Sequence, residues 1–452
     1  MASRFMRMGI FFNATGHHVA SWRHPGARAD EGVHFPSYAA MAKTAEAAKF
    51  DMIFFADTPA VRTAKIEALS RSAQYVANFE PLTLVSALAA VTERIGLTCT
   101  ASATYNEPYN VARSFASLDH LSGGRAAWNI VTTAQEAAAA NFGQSGQWTH
   151  GGRYDRAREF VRVVRGLWDS WDDDAFERNK ESGLFFDPEK LHRLDHQGEH
   201  FSVRGPLNIP RSPQGHPVLL QAGSSDDGRD FAAEFADAIF TGHVTIDSAK
   251  AYYDDLKSRA LNFGRDPSQV VLMPGLSAVV GRTEAEAREK QEQLDALMHP
   301  VVALEILGTV LGEVDLSPYD MDGPLPPEER LPVPPSAAKT GRANWFSLAK
   351  KENLTIRQLA QRAAHGRGKS AVVGSATQVA DHLQEWFEKG AADGFNIQAP
   401  YQPAAFNDFV TLVVPELQRR GLMRKEYEGT TLRDHLGLER PASRYAKSSG
   451  AA

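Results

Sequence analysis

Short apolar runs, many of them β-branched, alternate along this chain with longer stretches whose apolar residues recur every three or four positions. The short runs fall at 8–12, 52–56, 95–101, 126–131, 218–222, 238–241, 270–278 and 394–399. Helix-patterned stretches lie between them, for example at 38–49, 81–93, 153–168, 229–235, 249–262, 284–298 and 377–389. This alternation predicts βα units around a parallel sheet, whose strands are buried on both faces and need not alternate apolar with polar. Eight such units is the count of a TIM barrel. On pattern alone, a doubly wound open sheet stays as the alternative.

Two long departures interrupt the rhythm, at about 170–214 and 299–374. The second contains DLSPYDMDGPLPPEERLPVPPS, too dense in proline for a regular helix or a central strand. Loops of that length inside a compact domain are usually lids or binding loops, and both follow strands (the fourth and the seventh), so they are expected over the barrel mouth. The reading is one domain over 1–440, with a flexible tail at 441–452 rich in Ser, Ala and Gly.

Composition narrows the function. A net charge of −6 leaves no electrostatic footprint for nucleic acid or an anionic membrane. The start, MASRFMRMGIFFNATG, lacks a leader pattern and no apolar run is long enough to span a bilayer, so a cytoplasmic location is expected. The single cysteine, Cys99, rules out an internal disulfide and a multi-cysteine metal site.

Candidate chemistry gathers where strands end. Thr100 and Asn129 fall late on the third and fourth strands, where βα proteins assemble ligand sites, and Asp57 ends FDMIFFAD. His150 and Tyr154 stand four apart at a helix start, spaced to approach one ligand. Gln221-Ala-Gly-Ser-Ser225 closes the fifth strand and opens a helix, an arrangement that suits an anion or an ordinary N-cap. Taken alone, each of these residues also has a bland reading: Asp57 caps the next segment, while Thr100 and Asn129 satisfy nearby backbone groups. His17 and His18 are adjacent in an extended loop, a poor two-ligand metal site, and no metal is expected.

The stretch SATYNEPYNVARSFASLDHLSGGRAAWNIVT resembles the bacterial-luciferase-like flavin monooxygenases, closest to the branch with nitrilotriacetate and dibenzothiophene-sulfone monooxygenases. Matching pieces run along most of the chain: FDMIFFAD, RYDRAREFV, SPQGHPVLLQAGSS, GAADGFNI and TLRDHLGL. The resemblance implies a (β/α)8 TIM barrel of that type with long insertions. It also implies a two-component monooxygenase that uses reduced FMN and O2, through a flavin C4a-peroxy intermediate, to oxygenate a small organic compound. It carries flavin contacts onto Asp57, Thr100, Asn129, His150 and Tyr154, and phosphate contacts onto Ser224 and Ser225. His17 and Phe54 take positions beside the reacting centre. A separate NAD(P)H:FMN reductase and a homodimer or homotetramer are expected. The position matching a second histidine of the sulfone enzymes falls near Val310, so that particular activity does not carry over.

Two motifs fail. Gly368-Lys369-Ser370 lacks the first glycine of a P-loop, and no strand is followed by G-x-G-x-x-G. A flavin enzyme without a dinucleotide fold is expected to receive its flavin already reduced. Phe11, Phe12, Phe54, Phe55 and Trp22 near strand ends lean toward an apolar substrate. A deazaflavin-dependent dehydrogenase, a metal-dependent hydrolase and a non-catalytic flavin-binding protein stay as alternatives.

Overall fold

A computed structural model describes residues 5–61, 65–74, 76–133, 135–143, 150–332, 342–366 and 370–446. Its centre is a ring of parallel strands: β1 (Arg7–Phe12), β2 (Met52–Phe55), β3 (Gly96–Ser102), β4 (Ala126–Val131), β5 (Val218–Gln221), β6 (Ala238–Thr241), β7 (Val271–Gly281) and β8 (Gly394–Gln398). They neighbour one another in chain order, and β8 pairs with both β7 and β1. The ring is therefore closed, and the open-sheet alternative falls. The eight expected runs are these eight strands, displaced by a few residues at their ends.

Side-chain alternation along each strand divides two cores. Ile10, Phe12, Ile53, Phe55, Cys99 and Trp128 point outward and join the main apolar cluster beneath the helices. These helices include α1 (Phe35–Ala47), α2 (Pro81–Ala89), α3 (Pro108–Ser122) and α4 (His150–Trp168). Phe11, Met52, Phe54, Ala127, Leu220 and Met273 point inward and fill the barrel. The helices start and stop as their sequences dictate. Pro81 and Pro108 stand at first-turn positions, and α3 ends on Gly123 at φ 68°, a left-handed turn that a side chain would strain.

The C-terminal motif TLRDHLGL closes the base. Leu432, Leu436 and Leu438 plug the N-terminal end of the barrel. Arg433 donates to the His216 carbonyl (3.0 Å) and to Asp237 (2.8 Å). Pro441 accepts a hydrogen bond from Arg211, and Tyr445 stacks on His192 at 4.1 Å, so the described part of the expected tail is docked. Residues 447–452 lie outside the described residues.

The two insertions stand at different ends, which corrects the expectation that both cover the mouth. Residues 170–214 follow α4 rather than β4, and a chain leaving a helix has already returned to the N-terminal face. Gln214 accordingly donates to the carbonyl of Ala126, the first residue of β4, at 2.8 Å. The 299–374 insertion reaches the mouth, with helices Pro300–Val310 and Ile356–Gly366 packed on each other and on the loops after β1 and β2. It also contributes a strand missed in the sequence, Ser370–Ser375, paired with β7 from Leu276 to Gly281. Because β6 is four residues long, it leaves the upper edge of β7 open, and this strand fills it. Among the described residues no helix is long and apolar enough to cross a membrane.

Candidate functional site

Three aromatic rings close the barrel interior at its C-terminal end. Phe11 meets Phe54 edge-on at 4.8 Å and Phe240 at 5.6 Å, while Phe54 stacks with Phe240 at 5.8 Å. His17 lies against Phe11 at 4.6 Å, and its Nε2 is 2.8 Å from the Phe11 carbonyl. A carbonyl only accepts, so Nε2 carries the hydrogen and Nδ1 the lone pair of the neutral ring. The loop bearing His17 is tied to the segment after β8. His17 N–H bonds Ala399 O, His18 N–H bonds Pro400 O, and Gln402 N–H bonds Thr15 O, each at 2.9 Å. Gly16, at φ 120°, lets these backbones meet, since a Cβ there would overlap Pro400 and Tyr401.

Thr100 and Asn129 are register partners on β3 and β4. Asn129 Nδ2 donates to Thr100 Oγ1 (2.8 Å), and that hydroxyl donates to the Phe55 carbonyl (2.9 Å). The bland reading is thus half true, because each group does satisfy a neighbour. The remaining atom, Asn129 Oδ1, is buried without a partner among the described residues, and so is Nε2 of Gln398 on β8. Phe395 and Ile397 face the outer core, so Gln398 faces the interior. A buried acceptor and a buried donor left over at one end of a barrel are an exception that a ligand explains. The sequence reading missed Gln398, whose one clue was its place late on the last strand.

Asp57 stands just past β2 between two cavities. One, of about 220 Å³, is shared with Thr100, Tyr105 and Phe142; the other, of about 400 Å³, with Phe11, Asn13 and Tyr38. Desolvation pushes its carboxyl above the usual range, against a hydrogen bond from the Thr58 N–H. Thr58 also borders a third cavity of about 470 Å³, walled by Val19, Gln74, Lys65, Glu305 and Ile306. The insertion helix Pro300–Val310 thereby contributes a wall to the mouth.

The loop after β5 forms a cradle with the first turn of α4. Ser225 caps α5 (Asp226–Phe235), its Oγ accepting from the Gly228 N–H at 3.2 Å. A Cβ on Gly228 would stand 2.9 Å from Tyr154 Oη, 3.0 Å from Gly223 Cα and 3.1 Å from Ser225 Oγ, so only glycine leaves this hollow open. Ser224 is exposed beside it. Arg229 donates to Ser224 O (3.1 Å) and lies 5.1 Å from the Tyr252 ring, whose hydroxyl holds Gly223 O at 2.7 Å. Neither residue was singled out from sequence. Arg229 also pairs with Asp255 at 3.0 Å, which offsets the helix dipole's penalty for a cation near this N-terminus. The side chain of His150 lies outside the described residues; its backbone begins α4.

One group has metal-like composition. Ligand atoms of His18, Asp295 and His365 lie within 4.8 Å of one another. Hydrogen-bond polarity reads it otherwise. The Ala20 N–H donates to His18 Nδ1 (3.2 Å), which places that ring's hydrogen on Nε2, 3.5 Å from Asp295 Oδ1. His365 Nε2 (2.6 Å) and Gln291 Nε2 (3.0 Å) reach the same oxygen. His365 Nε2 also lies 2.6 Å from Gln291 Nε2, so these groups form a compact polar node on one carboxylate oxygen, with His18 at ion-pair rather than hydrogen-bond distance.

Comparison with known proteins bears on this arrangement. The family described as luciferase-like monooxygenase matches residues 14–393. N-acetyl-S-(2-succino)cysteine monooxygenase of Bacillus subtilis (strain 168) is 50% identical over 98% of this chain and 98% of its own. Nitrilotriacetate monooxygenase component A of Aminobacter aminovorans is 47% identical over 99% and 100%. The crystal structure of a riboflavin lyase, holding a modified FMN and riboflavin, superposes with a TM-score of 0.82 at 34% identity, covering 96% of each chain. A closed barrel with its polar residues gathered at the C-terminal mouth, matched over almost its whole length, places this chain in the luciferase-like monooxygenase family, as an enzyme of the monooxygenase kind.

Proposed function

We propose that the mouth binds reduced FMN and uses O2 to oxygenate a small organic molecule. The observation that carries this reading is the pairing of two features on adjacent strands. Asn129 Oδ1 is left over beside Thr100 on β4, and the hollow of Gly223, Ser225, Gly228 and Tyr154 follows β5. An isoalloxazine presents both donors and acceptors along its urea-like edge. Asn129 and Thr100 offer an acceptor and a hydroxyl to such an edge, while Gln398 offers a donor from the opposite wall of the ring. The hollow, with Ser224, His150 and the positive end of α5, accepts the phosphate. Asp57 borders the ring from β2.

Reduced FMN, when bound, supplies the chemistry that activates O2; the chain's own share is geometry and exclusion of water. Phe11, Phe54 and Phe240 form a dry floor. His17, oriented by its Nε2–H on the Phe11 carbonyl and set against the Phe11 ring, is placed for proton transfer in the oxygen-transfer step. The 470 Å³ cavity adjoining Thr58 takes the organic substrate. A separate NAD(P)H:FMN reductase supplies the flavin, in line with a relative whose name marks it as component A.

Anaerobic titration with reduced FMN is the direct test and should show one site per chain. Incubation with a flavin reductase, NADH, FMN and ¹⁸O2 should then label a product from N-acetyl-S-(2-succino)cysteine, nitrilotriacetate or an aryl sulfone. Label confined to peroxide across the panel would remove the oxygenation reading; absence of flavin binding would remove the whole.

A further inference from the structure

The node at Asp295 lies outside the flavin-facing residues, yet it touches the loop that carries His17. His18 is buried at 2% exposure, one residue from His17, and points the opposite way, toward α6 (Glu284–Ala296). On the far side of the same carboxylate oxygen stands His365, from the last turn of the inserted helix Ile356–Gly366. Two further contacts join the same parts. Val19 packs with Val302 and Ala364 of the insertion, and Arg23 donates to the carbonyl of Leu297 just beyond α6. The loop after β1 is thus fastened twice: by backbone hydrogen bonds to the segment after β8, and by side chains to the insertion.

We propose that Asp295 is a positioning residue for the mouth, holding His18 and His365 on one oxygen so that the insertion sets where His17 stands over the Phe11–Phe54–Phe240 floor. The role asks for an acceptor at Oδ1 rather than for a negative charge, because His18 is already confined to its Nε2–H form by the Ala20 N–H. Asn at 295 keeps that acceptor, whereas Ala removes it. His365 supplies the insertion's half of the link, and loss of its ring frees the inserted helix while leaving His18 facing Asp295.

The catalytic consequence rests on the flavin reading above, so the test has two arms. In the first, hydrogen exchange of the ligand-free protein follows residues 13–24. D295A and H365A should exchange there about tenfold faster than wild type, while D295N stays within about twofold, with strand β4 unchanged as the control for global folding. Equal exchange in all four proteins, or D295N as fast as D295A, overturns the tether. In the second arm, each protein carrying reduced FMN is mixed with O2 and the return of oxidised-flavin absorbance near 450 nm is timed. The half-time should shorten several-fold in D295A and H365A and hold in D295N. Identical half-times alongside altered exchange overturn the positioning role. A wild-type protein that binds no reduced FMN defeats the proposed function and leaves the first arm to decide the tether.

Discussion

The two ends of this barrel differ in the kind of polar group they bury. At the base, Arg125 is 2% exposed and its guanidinium donates to the carbonyls of Ser122 (2.6 Å), Ile95 (2.8 Å), Thr92 (2.9 Å) and Ala89 (3.2 Å). Asp169 likewise binds His216 (2.7 Å) and Arg211 (3.2 Å). At the mouth, Asn129, Gln398 and Gln402 keep buried polar atoms without partners among the described residues. Satisfied networks stabilise a fold, whereas unsatisfied groups cost stability and persist where a ligand completes them. Unpartnered atoms occur at the base too, on Gln214 and His435, so the ends differ in charge: the base pairs buried ions and the mouth buries neutral amides.

The comparison breaks most sharply at Arg125. R125M leaves four buried carbonyls short of a donor and should cost about 3–5 kcal/mol in denaturant unfolding. Reduced-FMN affinity of the folded fraction should remain within about twofold. A comparable loss of affinity would mean the two ends are not separate.

Acid unfolding sharpens the same contrast, since the strongly shifted buried groups of the base oppose each other. Burial, with Arg424 nearby, lowers the pKa of His435 from 6.5 to about 4. The unfolded chain then binds a proton that the native ring refuses, so stability falls as pH drops from about 6.5 toward 4, by about 3 kcal/mol at most. Burial raises Asp119 from 3.8 to about 6, which works in the reverse sense. The native carboxyl keeps its proton while the unfolded one releases it, so stability falls by a similar amount, about 3 kcal/mol, as pH rises from 4 to 6. In wild type these two effects offset each other between pH 4 and 6, so the acid slope there comes from the other buried carboxylates, such as Asp169 and Asp237, whose pKa is lowered. D119N removes the second effect and should steepen the acid slope relative to wild type, which urea titrations at pH 6.5, 5.5 and 4.5 would measure.

At the mouth the expected effects are smaller and fall on binding. N129L removes the left-over acceptor and should weaken reduced FMN about tenfold, the equivalent of roughly 1.4 kcal/mol, while shifting stability by less than about 1 kcal/mol. S225A strips the α5 cap and one wall of the hollow. It should cost about 1 kcal/mol of stability and weaken FMN several-fold while leaving riboflavin binding unchanged. Equal losses for FMN and riboflavin would place the phosphate elsewhere.

Much of this was legible beforehand. All eight barrel strands stood out because each is a compact apolar run between helix-patterned stretches, and pattern survives without contacts. The motif stretch that carried the family resemblance was less transparent. LSGGR and TLRDHLGL entered only as pieces of the family resemblance, and Arg125 and Leu432 prove to serve the base, away from the mouth. Gln398 passed unnoticed because a lone amide on a strand has no pattern to betray it.

By itself the chain determined which residues become strands, which helices start on Pro81, Pro108 and Ser225, and which strand ends bear hydroxyls, amides and serines. These follow from local propensity and periodicity, which neighbouring residues settle among themselves. Closure of the ring, the side on which each insertion falls, and the meeting of His18, Asp295 and His365 were decided only by tertiary packing. They depend on groups far apart in sequence reaching one point, and no local rule encodes that distance.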